Sequence, residues 1–323
     1  MVLLATLVVF LIANTVPGDP AMAALGDMQA SDPVQVREFR ARYGLDLPLW
    51  EQYWRFLQRL SQGDLGISIA SRRPVLADIV DYAPATLELA TIAFALSVVV
   101  GLPLGVLAAV RRDSWVDHVA RFVSLIGVSA PTFWLAFIML AVFYGQLNWA
   151  PGPGRLDPVA FPPERITGLL LIDAAWIGDW EIFHDALAHL VLPSIVLAAS
   201  TLGLITRTTR AAMLEALNQD YVRVARAKGL LARVVVTGHA LPNAMLPVVT
   251  LGGLAYANLL AGAVMTETVF SWPGLGRYTF RSAVAVDFPA IMAITAIVAA
   301  IFVMVNFFVD LSYALLDPRV VKK

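Results

Sequence analysis

The sequence predicts an all-α, polytopic membrane protein with six transmembrane helices. Three observations predict it. Of the 323 residues, 59% are hydrophobic and 15% are charged, whereas a soluble domain is about 45–50% apolar and about 25% charged. Long apolar runs recur at 1–16, 85–110, 122–144, 188–205, 243–266 and 291–316, each comparable with the roughly 20 residues that cross a bilayer core. Basic residues collect between alternate runs, as the positive-inside rule requires of a multi-pass chain. The net charge of −1 says little beside this distribution. No cysteine is present, which excludes disulfides, thiolate metal sites and a catalytic thiol. His118, His184, His189 and His239 show no H-x-x-x-H spacing and point away from metal chemistry.

The first run, 1–16, reaches about 24 Å at 1.5 Å per residue, short of a bilayer core of about 30 Å. No Lys or Arg precedes it, so it is not an ordinary signal peptide. Pro17-Gly18-Asp19-Pro20 ends it. Residues 17–84 are polar, with seven arginines, and form an extracytoplasmic segment. Within it, Trp50, Tyr53, Trp54, Leu57 and Leu60 follow helical spacing over Leu49–Ser61. That helix either packs on its own domain or lies in the membrane interface.

The remaining 85–323 form a five-helix core. The second span, 85–110, ends at Arg111-Arg112, and Pro103 between Gly101 and Gly105 predicts a kink. Glu88 near its outer end is either a functional intramembrane acid or a solvated cap. The third span, 122–144, carries Ser129-Ala130-Pro131 in its first third. Residues 146–185 return outside, with Trp149, Trp176 and Trp180 suited to the interface. The fourth span, 188–205, runs into Arg207 and Arg210. The fifth, 243–266, is rich in Gly and Ala, which allow close helix packing. A glycine-rich outer turn is expected over 267–281, where Gly274 and Gly276 lack the third glycine and the strand–helix frame of a nucleotide fingerprint. In the sixth span, 291–316, Asn306 and Asp310 share a face expected to turn to the bundle.

Residues 214–242 are an island of charge between two apolar runs, with Arg223, Arg226, Lys228 and Arg233 close together. A helix through Tyr221 should stop at Gly229, after a basic last turn. A second short helix is expected over 231–240, before Pro242. From charge alone the island could be a headgroup anchor; Gly229 and its fixed spacing to Leu241-Pro242 favour a docking loop.

These residues resemble the cytoplasmic coupling loop of ATP-binding-cassette importer permeases. Gly229 and Leu241-Pro242 stand at the spacing of that motif; Ala225 keeps its second alanine, while Arg223 and Val224 replace its glutamate and first alanine. The string from Asp220 through Gly229 to the Leu-Pro pair is similar to the dipeptide, oligopeptide and nickel permease branch. So are Pro17-Gly18-Asp19-Pro20, the stretch 43–69, the stretch 267–281 and the closing Asp317-Pro318-Arg319. In that family a short basic segment precedes the first span; none does here, so 1–16 reads as a shortened first helix.

The resemblance implies a type I importer-like permease fold in the bacterial inner membrane, with a coupling loop over 207–242. It implies coupling residues Tyr221, Ala225, Arg226, Lys228, Gly229, Leu241 and Pro242. It also implies an outer loop near the translocation path at Glu267, Trp272, Pro273, Gly274 and Gly276. The implied partners are a second, similar permease subunit, two ATPase subunits, an extracytoplasmic solute-binding protein and the lipid membrane, with no nucleic acid. The implied cargo is peptides or a similar small solute.

No G-x-x-x-x-G-K-[ST] occurs, and no glycine is followed by lysine; ATP is therefore expected on partner subunits, with no cofactor and no enzyme activity in this chain. The basic residues at 111–121, 207–233 and 319–323 place both termini in the cytoplasm. The rival reading, an ion-coupled secondary transporter, asks for midplane acids and repeated halves; Glu88, Glu267 and Asp310 lie near helix ends instead. A membrane-embedded enzyme lacks a metal cluster, a Cys-His pair and G-x-S-x-G.

Overall fold

The computed structural model describes residues 2–15, 32–44 and 46–316. Pro17-Gly18-Asp19-Pro20, Asp317-Pro318-Arg319, Lys322 and Lys323 lie outside these. In chain order the helices are α1 (Val2–Thr15), α2 (Pro33–Tyr43), α3 (Leu49–Ser61), α4 (Val75–Val110), α5 (Trp115–Ser129), α6 (Thr132–Met139), α7 (Leu170–Ile177), α8 (Trp180–Leu217), α9 (Asp220–Ala227), α10 (Ala232–Val234), α11 (Leu241–Gly262), α12 (Val264–Val269), α13 (Leu275–Val284) and α14 (Phe288–Leu316). Wider π turns extend α6 over Leu140–Gln146 and join α10 to α11 over Val235–Ala240. The only β pairing among the described residues is an isolated bridge between Ile67 and Pro74.

Four helical stretches are long and apolar enough to cross a membrane: Val75–Val110, Trp180–Leu217, Ala232–Val269 and Phe288–Ser312. A fifth crossing forms if α5 and α6, with the turn that extends α6, count as one broken span. Its halves bend by 104° because Pro131 lacks an N–H and pushes Ala130 to an extended backbone (φ −75°, ψ 127°). The expected sixth, α1, is a shorter apolar helix in the described residues.

The spans also outrun their sequence-based bounds. The second begins at Val75 because the acid that masked its first turns, Asp78, is buried and bonded by Ser71, Tyr278 and Arg73. It continues as helix through Pro103. The fourth runs unbroken through Arg207 and Arg210 to Leu217. Towards the end of α14, Val309 is buried, Asn306 half-buried and Asp310 exposed, so of the expected inward pair only Asn306 is partly covered.

The helices divide between two compact units. One holds the described residues up to Thr86 together with Pro273–Val303. Its apolar core joins Val75 and Ile79 of α4 to Leu275 and Tyr278 of α13 and Ala290, Ala293 and Ile294 of α14. Two buried carboxylates fasten it. Asp78 accepts from Ser71 Oγ at 2.5 Å and the Tyr278 hydroxyl at 3.2 Å. Asp287 accepts from Ser68 Oγ at 2.5 Å and the Ala70 amide at 3.1 Å. Burial beside Asp78 pushes the Tyr278 hydroxyl well above its ordinary range. Helix α3 leans on α1 through Tyr53, whose hydroxyl donates to the Leu3 carbonyl at 2.8 Å; Trp50 and Trp54 stay exposed. One flank thus packs on its own domain while the other remains open.

The other unit holds Leu87–Trp272 and the described residues from Met304 on. Glycines set its closest helix contacts. A methyl placed on Gly203 of α8 would lie 2.6 Å from the Ser124 carbonyl oxygen of α5, and one on Gly127 of α5 would run into the Ala199 carbonyl of α8. Any larger side chain at either position would prise α5 from α8.

Candidate coupling site

Helix α9 is short and two-faced. Val222 and Ala225, one turn apart, point inward and join a buried cluster with Ala109 of α4, Met213 and Ala216 of α8, Val235 and Ala240 of the π turn, and Ala244 of α11. Removing a valine side chain from water stabilises by about 1.5–3 kcal/mol, so Val222 alone seats the helix firmly. The opposite face carries Tyr221, Arg223, Val224, Arg226 and Lys228 to solvent, and the exposed Leu230, Leu231, Arg233 and Val234 follow it.

The helix ends as the sequence requires. Gly229 sits at φ +78°, in the left-handed region. Its amide donates to the Arg226 carbonyl at 2.9 Å, and the Leu230 amide donates to the Ala225 carbonyl at 3.3 Å. These two reversed bonds satisfy carbonyls that the last turn would otherwise leave open. No atom outside its chain neighbours lies within 4 Å of a Cβ placed on Gly229, so backbone conformation alone selects glycine there.

Beyond Gly229 the structure corrects the expected separate helix. Residues from Ala232 run without a break through the π turn and Pro242 into α11. Pro242 offers no N–H, and its ring crowds the carbonyl four residues back. The widened turn, in which the Leu241 amide bonds Val236 rather than Thr237, lets the chain pass that point without ending the helix.

Of the seven predicted coupling residues, the structure gathers all in one region but divides their roles. Tyr221, Arg226, Lys228, Gly229 and Pro242 are exposed; Ala225 is buried and Leu241 packs against the same cluster. The predicted outer-loop residues turn out to lie mostly inside. Glu267 and Trp272 are fully buried in the unit that holds α9. Gly274 and Gly276 are buried in the other unit, where Pro273 is partly covered. The expected glycine-rich turn is instead two helices, α12 and α13; the left-handed residue between them is Ser271, at φ 52°.

Two ion pairs escaped the sequence reading. Glu88 is neither free nor solvated: Arg155 donates to its Oε2 through Nε at 3.1 Å and an η nitrogen at 2.5 Å, and the Leu171 amide donates to Oε1 at 2.8 Å. The same guanidinium lies 5.9 Å from the ring centre of Trp272. Asp117, fully buried in the first turn of α5, receives both Nε and an η nitrogen of Arg210 at 2.6 and 2.7 Å. Ser114-x-x-Asp117 ahead of an apolar run is the sequence signal that marks this helix start; nothing in the sequence names Arg210 as its partner. An apolar cavity of about 420 Å³, lined by Phe94, Leu102, Met245, Gly252, Tyr256 and Phe308 among others, offers no charged group to a zwitterionic solute. No group of residues among those described can hold a metal ion.

Comparison with known proteins now decides the family. Residues 101–322 match the family described as "Binding-protein-dependent transport system inner membrane component". The chain belongs to this family. Residues 1–90 match its companion N-terminal family, "Binding-prot-dependent transport system membrane comp, N-term". Curated relatives of this transport family include the probable D,D-dipeptide transport system permease protein DdpB of Escherichia coli (strain K12), 47% identical over 97% of this chain and 92% of that protein. The dipeptide transport system permease protein DppB of the same organism is 44% identical over 98% of this chain and 93% of its own length. DppB of Alkalihalophilus pseudofirmus is 41% identical, over 98% and 94%. The inward-facing MetNI methionine ABC transporter superposes with a TM-score of 0.53 over 72% of this chain and 93% of the solved chain, at 17% identity. The fold is therefore shared with that solved transporter chain, and the chain is a membrane-spanning permease component of a binding-protein-dependent transport system.

Proposed function

We propose that this permease carries peptides, and that α9 with the following turn docks on a separate ATPase subunit that drives the transport. The observation that carries the reading is the division of α9: Val222 and Ala225 lock it to α4, α8 and α11, while Tyr221, Val224 and Leu230 stand exposed among Arg223, Arg226 and Lys228. An apolar patch rimmed by charge suits a protein partner, and its seating on three spans gives the partner purchase on them. The peptide class rests on the names of the relatives.

The remaining assembly is part of the same proposal: a second, similar permease subunit, two ATPase subunits that bind ATP, and an extracytoplasmic solute-binding protein. Residues 207–242 and both termini face the cytoplasm, 1–16 belongs to the first span, and 17–84 lies outside. Glu267, Trp272, Pro273, Gly274 and Gly276 belong to the outer loop near the translocation path. Uptake of a labelled dipeptide should stop when the ATPase subunit is removed while the ion gradient is kept. Uptake that continues would favour an ion-coupled secondary transporter.

A further inference from the structure

The inner end of α8 shares a buried cluster with α4, α9 and α11 and is bonded to α5 beside it. Met213 and Ala216 pack on Val222 and Ala225 of α9. One turn earlier, Arg210 reaches Asp117 at the start of α5 with two bonds. The carboxylate also accepts from the Asp113 amide at 3.0 Å, and Arg121 stands 3.6 Å from Oδ1. The glycine contacts that press α5 on α8, at Gly203 and Gly127, lie further along both helices. At the far end of α5 is the 104° break into α6.

We infer that the Asp117–Arg210 pair is a positioning element that holds α5 in register with α8, so that displacement of α9 reaches the broken helix α5–α6. The inference rests on the docking reading above. Three features support it. A buried ion pair adds little net stability over an apolar replacement, so stability alone does not account for a charge placed there. A two-pronged guanidinium–carboxylate contact fixes orientation as well as distance, which a lysine point charge cannot do. The pair also lies between the α9 cluster and the glycine contacts along α8, so slack there would let α8 move while α5 stayed behind.

The absence of cysteine makes the test direct. Val119 on α5 and Ala211 on α8 are both exposed; each is replaced by cysteine and spin-labelled in the whole transporter. With Arg210 intact, the label-to-label distance should be the same in the nucleotide-free and nucleotide-trapped states. Arg210→Lys keeps the charge but loses the fork. It should let the distance differ between the two states and raise ATP hydrolysed per solute imported by about ten-fold, a size typical of coupling between sites. The ATPase should still co-purify. If Arg210→Lys does not accumulate, Asp117→Glu is expected to give the same two changes. An unchanged ATP-to-solute ratio in whichever variant assembles, or a distance that already changes with Arg210 intact, overturns the inference alone. Failure of the unsubstituted chain to hold an ATPase overturns the docking reading, and this inference with it.

Discussion

Arginine does opposite work at two places in the unit that holds α9. Around Glu88, Arg155 is consumed: its guanidinium is mostly buried, doubly bonded to a buried carboxylate, bonded again to the Gly168 carbonyl at 3.1 Å and laid against Trp272. In α9 the basic residues are spent on nothing inside. Among the described residues Arg223 pairs only with Asp220, with both side chains exposed, and no ion pair reaches Arg226, Lys228 or Arg233. The first arrangement fastens a long surface segment to a span. The second leaves charge available to something outside the chain. If that contrast is sound, substitutions at the first place should damage the fold and spare docking, and those at the second should do the reverse.

The largest loss of stability is expected at the fastened place. Arg155→Ala leaves Glu88 buried without its cation, a loss of about 3 kcal/mol. Thermal unfolding of the purified chain should show it, with faster proteolysis of 147–179. The ATPase should co-purify from the surviving fraction as before. The doubly apolar Glu88→Leu/Arg155→Met should recover most of the loss, because it leaves no unpaired charge.

A smaller loss should come from acid. Asp173 in the same outer segment is buried, which pushes its carboxyl up, but the Thr167 hydroxyl and the amides of Thr167, Gly168 and Ile166 outweigh burial and hold it below the usual range. Because the folded value is the lower one, this contribution is present above the ordinary carboxylate range, near pH 4, and disappears as pH falls through the depressed value. Proteolysis of 147–179 should accelerate over that window in the parent. Asp173→Asn, already deprived of the ionised acceptor, should show a flatter acid dependence.

What the sequence disclosed divides along the same line. Helix α3 appears with the expected bounds and α9 stops at Gly229, because spacing, a basic last turn and glycine are local signals. The exposed basic face of α9 was legible for the same reason: it is a continuous stretch. The fastenings were not. Glu88 stayed open between a functional acid and a solvated cap because Arg155 is 67 residues away in sequence, and Asp117 and Arg210 are 93 apart. Pairings across such distances leave no periodicity in a single chain. The same blindness misplaced the start of α4, whose Asp78 is paired with Arg73 and accepts a hydrogen bond from Tyr278. Nor did the sequence disclose that Glu267 and Trp272 are buried.

At the docking face the cost to the fold should shrink while the cost to transport grows. Gly229→Ala forces a side chain into left-handed backbone, a loss of about 1 kcal/mol, with no clash, since the space around it is empty. It should support near-normal uptake. Gly229→Asp adds a carboxylate at the carbonyl end of α9, where negative charge is disfavoured, in the middle of a basic face. The variant should reach the membrane at normal levels, capture less ATPase and import no solute. Wild-type uptake with undiminished ATPase binding would reduce the loop to a charged anchor.

The smallest effect on stability, and the cleanest separation of the two places, is expected for Arg226→Glu. Arg226 is exposed, and among the described residues its side chain has no ion-pair partner to leave unsatisfied. Its only service to the fold is a positive charge in the last turn of α9, so the reversal should change stability by no more than about 0.5 kcal/mol. Docking should respond quite differently. A charge at the rim of an interface acts on the rate of encounter and on its dependence on salt. Capture of the ATPase should therefore weaken at low ionic strength, and the gap to the parent should close as salt screens charges beyond about 10 Å, near 0.1 M. Equal capture at low salt would mean that the arginines of α9 face something other than the ATPase, with lipid headgroups the next surface to test. A loss of capture that salt does not narrow would instead place Arg226 at the buried centre of the interface, and the division of α9 into an anchored and a docking face would stand on firmer ground than the charge pattern alone provides.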